Sequence, residues 1–548
     1  LDNSAFGYLA LCANTTASYN TASGPYALRA NTTGDHNAAF GITALAANTV
    51  GDCNTGLGAR ALRSNTTGIF NTSVGACSLY HNTTGNRLTA VGYKALFCNT
   101  TGIYNTASGY AALHSNTTGS ENTAVGNVSL WSNTTGACNT AVGYGSLQMN
   151  TGACYNVAIG YRALRCNTTG SNNTAVGTQA LYSNTTGTQN TAVGKNAMYQ
   201  NTTGKHNSSS GYFALRYNTS GSCNTAFGLN SLRDNTIGCR NVSIGYESMR
   251  ENTTGNYNTA VGFQTLLSNT TGRCNVAVGG TSLWYNTTGV RNTAIGVRTL
   301  HYNTGGSYNT ASGYATLTNN TTGHANAAHG HASLYSNTTG CYNTASGYHA
   351  LYSNTTGCYN TATGACALRT NTTSCFNTAY GMCSMFSNSG GCYNTASGNY
   401  SLLNNTSGCR NAAFGYRALN TNGTGCCNTA VGMYAMLCNT SGYNNTATGY
   451  GSLNFNVDGL VNTAVGYFSL YCNTGGDYNV AVGGHSLNNN TGGCRNTAVG
   501  YYALNKNTTG TNNSAYGDES LACNTIGCQN TASGMYALRK NTTGVNNV

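Results

Sequence analysis

Apolar side chains return along this chain on a single beat. From Leu11 onward a Leu or Met recurs every 17 residues, through Leu28 and Met198 to Leu538, and an Asn follows three positions after each. With Asn3 as slot 1, the frame runs without insertion or deletion to Asn530, giving 32 units of consensus N-T-A-V-G-Y-x-A-L-x-x-N-T-T-G-x-x. Slot 5 is always Gly (Gly7, Gly24), slot 9 Leu or Met (Leu11, Leu28) and slot 12 Asn (Asn14, Asn31). Slots 3 and 8 take only small residues, and Leu88 alone replaces Asn in slot 1. In such a chain no unit buries its apolar side alone, but a stack of units does.

The period decides the element type. Each consensus unit holds two glycines, two asparagines and several threonines, all poor helix formers, with no 3.6-residue apolar repeat. N-T-T-G predicts a tight turn, with Asn bonding ahead to the backbone and Gly in the last position. N-T-A-V-G and G-Y-x-A-L predict short extended segments. One unit is then one coil, and residues 1–548 form one continuous all-β solenoid (a β-helix or β-roll) without caps or linkers. At a strand spacing of ~4.8 Å the stack would be on the order of 150 Å long.

Within the stack, equivalent side chains form ladders. Slot 9 predicts an apolar spine, the small slots let the walls close, and the slot-12 amides donate and accept along the axis. Slots 6, 7, 10, 11, 16 and 17 vary and are expected outside the core. Slot 4 holds Val125, Ser108, Phe40, His329 and Tyr380, a range that suits solvent or a neighbouring chain.

Composition agrees: 6% of residues are charged and Pro25 is the one proline. The net charge of +12 arises from 23 Lys and Arg against 11 Asp and Glu, a mild bias that does not specify nucleic acid. Arg216, Arg233 and Arg250 fall one repeat apart and predict a short positive stripe. No apolar run reaches 18 residues, so no membrane insertion is expected.

Twenty-four cysteines suggest an oxidising setting: secreted, cell-surface or virion-surface. Cys341, Cys358, Cys375, Cys392, Cys409 and Cys426 hold slot 16 in consecutive units, and Cys366 and Cys383 hold slot 7. Coils ~4.8 Å apart place such Cα atoms inside the 4.4–6.8 Å disulfide range, though parallel Cβ vectors strain the bond. Cys523 and Cys528 bracket one N-T-I-G turn as another candidate pair. Free surface thiols and metal ligation are the alternatives, the latter weakened by the absence of any C-x₂-C.

Slot 12 often reads as a glycosylation sequon. Nine units lack Ser or Thr two residues on yet keep the Asn, as at Asn48, Asn150 and Asn456, which argues for a structural amide. The better acceptors are the off-frame sequons at Asn127, Asn172, Asn319, Asn399, Asn404, Asn444, Asn489 and Asn512.

No unit carries a phosphate loop, nucleophile elbow or HExxH, and neither an enzyme nor a cofactor is expected. His324, His329, His331 and His349 are the one histidine cluster. Slot 13 is Thr in 29 of 32 units and slot 2 often is, which raises ice binding as a minor reading.

N-T-A-V-G-Y-x-A-L with N-T-T-G resembles the repeat shafts of phage and large-virus tail or surface fibres and of bacterial surface proteins. More distantly it is similar to the N-S-V-A-I-G head repeats of trimeric autotransporter adhesins, which form β-rolls. The resemblance spans the whole chain and implies a surface-exposed fibrous role. First and last units match the interior, which predicts assembly by end-to-end stacking. The expected function is an extracellular structural filament or fibre shaft whose partner is itself. An adhesin binding cell-surface glycans through a Tyr/Arg/Asn face is the alternative.

Overall fold

The computed structural model describes residues 2–548, and its regular elements are all β-strands. Two compact units divide the chain, Leu1–Cys274 and Asn275–Val548. The first holds β1 (Ser4–Phe6) through β16 (Thr259–Val261), the second β17 (Val276–Val278) through β32 (Thr531–Ser533). Every strand is three residues, slots 2 to 4, and within each unit consecutive strands pair in parallel, 17 residues apart, as in Thr123↔Thr140, Ala124↔Ala141, Val125↔Val142. Each unit is a parallel β-solenoid of 17-residue coils, as the period predicts.

The slot-3 side chain turns inward and is buried, while slots 2 and 4 turn outward. Slot 5 then reverses the chain. Its φ is +129° at Gly126, and a Cβ there would lie 2.6 Å from the Gly143 carbonyl oxygen of the next coil. Only glycine permits both the dihedral and the approach.

The G-Y-x-A-L segment differs from its expected extended form. It is a continuous run of turns, closed by Ala27 N–H to Gly24 O (3.2 Å) and Asn31 N–H to Leu28 O (3.1 Å). Slots 7, 9 and 17 are left-handed and, apart from Gly145 and Gly451 in slot 7, carry side chains, as at Tyr26 (φ 60°), Leu28 (φ 50°) and His36 (φ 56°). Each such residue costs about 1–2 kcal/mol. The conformation aims successive N–H groups in opposite directions: Tyr26 donates back to Tyr8 O (2.8 Å) and Leu28 forward to Ala44 O (3.0 Å). It also turns the Leu28 side chain fully inward, and burying a leucine returns about 1.5–3 kcal/mol.

The core of each unit is thin, built from Ala or Ser of slots 3 and 8 and the Leu or Met of slot 9. Leu11, in the first coil, is 8% exposed and Leu28 wholly buried. Two asparagine ladders flank the spine. In slot 12, Asn48 Nδ2 donates to Asn31 Oδ1 (2.7 Å) and Asn65 Nδ2 to Asn48 Oδ1 (2.8 Å). Asn14 makes only the turn bond, to Ala17 O at 3.2 Å, so this ladder begins at Asn31. The slot-1 ladder was not foreseen as such: except at Leu88, a slot-1 Oδ1 accepts the next coil's slot-1 N–H, as Asn20 does from Asn37 at 2.8 Å. Both ladders converge on the slot-15 carbonyl; Gly51 O accepts from Asn37 Nδ2 (2.8 Å) and Asn48 Nδ2 (2.9 Å). Buried amides are thereby satisfied, which is what permits so polar an interior.

Candidate functional site

The thiols follow the predicted slots. In slot 16 each Sγ accepts the backbone N–H of the preceding cysteine: Cys341 N–H to Cys358 Sγ and Cys358 N–H to Cys375 Sγ, both 3.1 Å, and so on to Cys409 N–H and Cys426 Sγ at 3.2 Å. All 24 cysteines are free thiols in the structure. The parallel Cβ vectors that the stacking imposes hold each sulfur against a backbone N–H instead of a second sulfur. Cys366 and Cys383 face one another across a coil, and burial, followed by the Cys366 thiol, pushes Cys383 up. Cys523 does not meet Cys528, whose Sγ donates to Ile526 O (3.3 Å). In slot 11, burial pushes the thiols of Cys98, Cys166, Cys438 and Cys472 up.

Among the sequons, Asn127, Asn172, Asn399, Asn404, Asn444, Asn489 and Asn512 are exposed and Asn319 is half-buried. Past Asn14, and before Asn541 in the last coil, the slot-12 asparagines have no exposed surface at all. Asn116 illustrates why: its amide donates to Asn99 Oδ1 (2.8 Å) and Gly119 O (2.8 Å). No transferase reaches a group so placed.

The arginine stripe is not bare. Arg233 grips Asp234 through two bonds (2.7 and 2.8 Å), and Arg250 bonds both Glu247 and Glu251. Elsewhere arginine reaches the tyrosine hydroxyl of the next coil, as Arg165 to Tyr182 and Arg291 to Tyr308, with the same pairing at Arg63–Tyr80, Arg87–Tyr104 and Arg240–Tyr257. His324 Nδ1 lies 3.0 Å from Cys341 Sγ, and His331 stacks between Tyr314 and Tyr348. Among the described residues no three His, Cys, Asp or Glu side chains converge as a metal set. The slot-13 hydroxyls bond backbone, as Thr32 Oγ1 does to Thr49 O at 3.1 Å, so their protons are not presented to water.

Aromatic rings form ladders on the outer slots. Tyr342, Tyr359, Phe376 and Tyr393 stack at 4.9–5.0 Å with interplanar angles of 2–6°, so the inner faces are covered by one another and the edges meet solvent. Edge-to-face pairs interrupt such stacks elsewhere, as at Tyr8–Tyr26 (86°) and Tyr400–Tyr416 (87°), and one group of them surrounds a hollow. Gly451 stands in slot 7 without a side chain, and around it Tyr434, Tyr450, Phe468 and Tyr471 line a shallow hollow with Arg417 on its rim. Their contacts there are edge-to-face: Tyr434–Tyr450 at 82°, Tyr450–Phe468 at 69° and Phe468–Tyr471 at 67°. Sequence reasoning passed over this hollow; the coincidence of a slot-7 glycine with rings in the flanking coils was the available signal.

No protein-family model matches this chain, and no curated protein is significantly similar to it. Among the described residues no helix is long and apolar enough to cross a membrane.

Proposed function

We propose that the chain is the shaft of an extracellular structural filament or fibre. The observation that carries this reading is the identity of successive coils. Within each unit a coil offers the coil after it the same amides, carbonyls and apolar spine that it takes from the coil before, in Asn48–Asn31 as in Asn320–Asn303. A stack held by nearest-neighbour terms alone accepts a further coil from the same chain or from a second copy. Mechanical continuity then comes from many short parallel strands and two amide ladders, and chemistry is left to the variable outer slots. Cysteine rows on those slots could staple coils on oxidation once a local shift releases each sulfur from its backbone N–H, and the exposed sequons suit glycan attachment. The test is electron microscopy and fibre diffraction of purified material. Long fibres with a layer line near ~4.8 Å are expected. Short particles of uniform length that never join would overturn the assembly.

Adhesion to glycans has one observation in its favour, the hollow at Tyr450 and Phe468, which aromatic side chains line. Tyr450→Ala with Phe468→Ala should abolish binding on a glycan array if the hollow is a site. An array without hits for the unaltered protein removes this second reading.

A further inference from the structure

The outward strand face, slots 2 and 4, carries none of the 23 Lys and Arg or 11 Asp and Glu. It is nonetheless exposed, and its slot-4 rings have no ring partner, in contrast to the stacked aromatics of the other slots. His329, Tyr380 (47% exposed) and Phe414 (42%) stand out from strands whose neighbours end in Ser312, Ser346 and Ser397. Rings and small residues are therefore interspersed from Ser312 to Phe414.

That order is self-complementary. Read outward from Thr363 in both directions, Ser346 is opposite Tyr380, His329 opposite Ser397, and Ser312 opposite Phe414. Ile295 then falls opposite Val431. Slot 2 follows the same rule, with Ala327 opposite Thr395 and Thr310 opposite Ala412. A two-fold axis parallel to the strand of Thr361 and Thr363, midway between the two facing sheets, reverses the coil order and keeps each slot over its own slot. Every ring then meets a serine notch on the facing sheet.

We propose that this face pairs with the same face of a second copy, antiparallel and centred on Thr363. Two sheets in face contact pack ~10 Å apart. From Val278 to Thr448 the face spans 11 strands of three residues. At ~4.8 Å by ~10 Å per strand, it covers about 500 Å² per copy, about 1,000 Å² in total, the lower bound of a specific interface. Absence of charge makes the contact free of like-charge repulsion, and an isologous interface needs only one self-matching patch. The contact is lateral, so it stands whether or not copies also join end to end.

The experiment places p-benzoylphenylalanine at Tyr380 in the full chain and maps photo-cross-links by mass spectrometry. Inter-chain links to the segment around Ser346 are expected. Links to the partner's own residue-380 segment, or none between chains, would overturn the register. In parallel, Thr363→Lys with Tyr380→Lys should weaken lateral pairing by about a hundredfold or more, halving the mass in sedimentation while far-UV circular dichroism is unchanged. Ser346→Lys and Tyr380→Asp chains, each weak alone, should pair when mixed. Unaltered protein that sediments as single chains, or that shows thermal hysteresis lost in the lysine variant, would assign the face to no partner or to ice.

Discussion

At the residue scale, stability turns on positions where one atom decides the fit. Leu88 is the exception in slot 1, and it is buried. Its own N–H still donates to Asn71 Oδ1 (3.0 Å), but it offers no acceptor to the N–H of Asn105, and Gly102 O keeps a single side-chain donor, Asn99. Leu88→Asn restores those bonds and forfeits leucine burial. With hydrogen bonds near 1 kcal/mol each and an unmade buried one costing about 1–3 kcal/mol, the net gain is about 1 kcal/mol, read as a higher Tm. Gly126→Ala works the other way. The strained dihedral and the 2.6 Å approach to Gly143 O predict a loss of at least ~2 kcal/mol in denaturant unfolding. Histidine sets the acid limit. Burial holds His301, whose Nδ1 is 2.9 Å from Thr281 O, below the usual imidazole range, and does the same to His114 and His349. The unfolded chain binds the proton first as pH falls below about 6.5, so stability is full above that value and declines beneath it. Tm measured from pH 8 to 5 should fall over the acid half, and less steeply in His301→Phe.

At the element scale, the outer and inner assignments were readable because they rest on side-chain size. Ala124, Leu130 and Asn133 are buried as their slots required, and Val125 faces out. The turn run was not readable. Propensity places almost no leucine or tyrosine at positive φ, so Leu28 and Tyr26 looked extended. What stabilises them is a pair of hydrogen bonds to two other coils, information that no single 17-residue window holds. The slot-1 ladder was hidden for a related reason: an Asn before a strand reads as a turn residue until its partner one coil away is known. The thiols mark a third limit. Equal spacing brings cysteines close, while the direction of Cβ, fixed by the stack, decides whether sulfurs meet.

At the scale of the whole molecule, each residue bonds chiefly to the neighbouring coils, as Thr123 N–H does to Asn139 O (2.8 Å). The bonds therefore count coils and are blind to which coil it is. Excision of residues 105–121, one complete coil, joins Tyr104 to Asn122 in frame and should leave Tm within a few degrees of the parent. Excision of 105–112 breaks the frame and should abolish the cooperative transition in calorimetry. The gene encoding such a chain can thus be cut and rejoined by recombination at any two equivalent codons and still specify a folded product. Reach becomes a trait that inheritance can lengthen or shorten by whole steps, without any new solution to the folding problem.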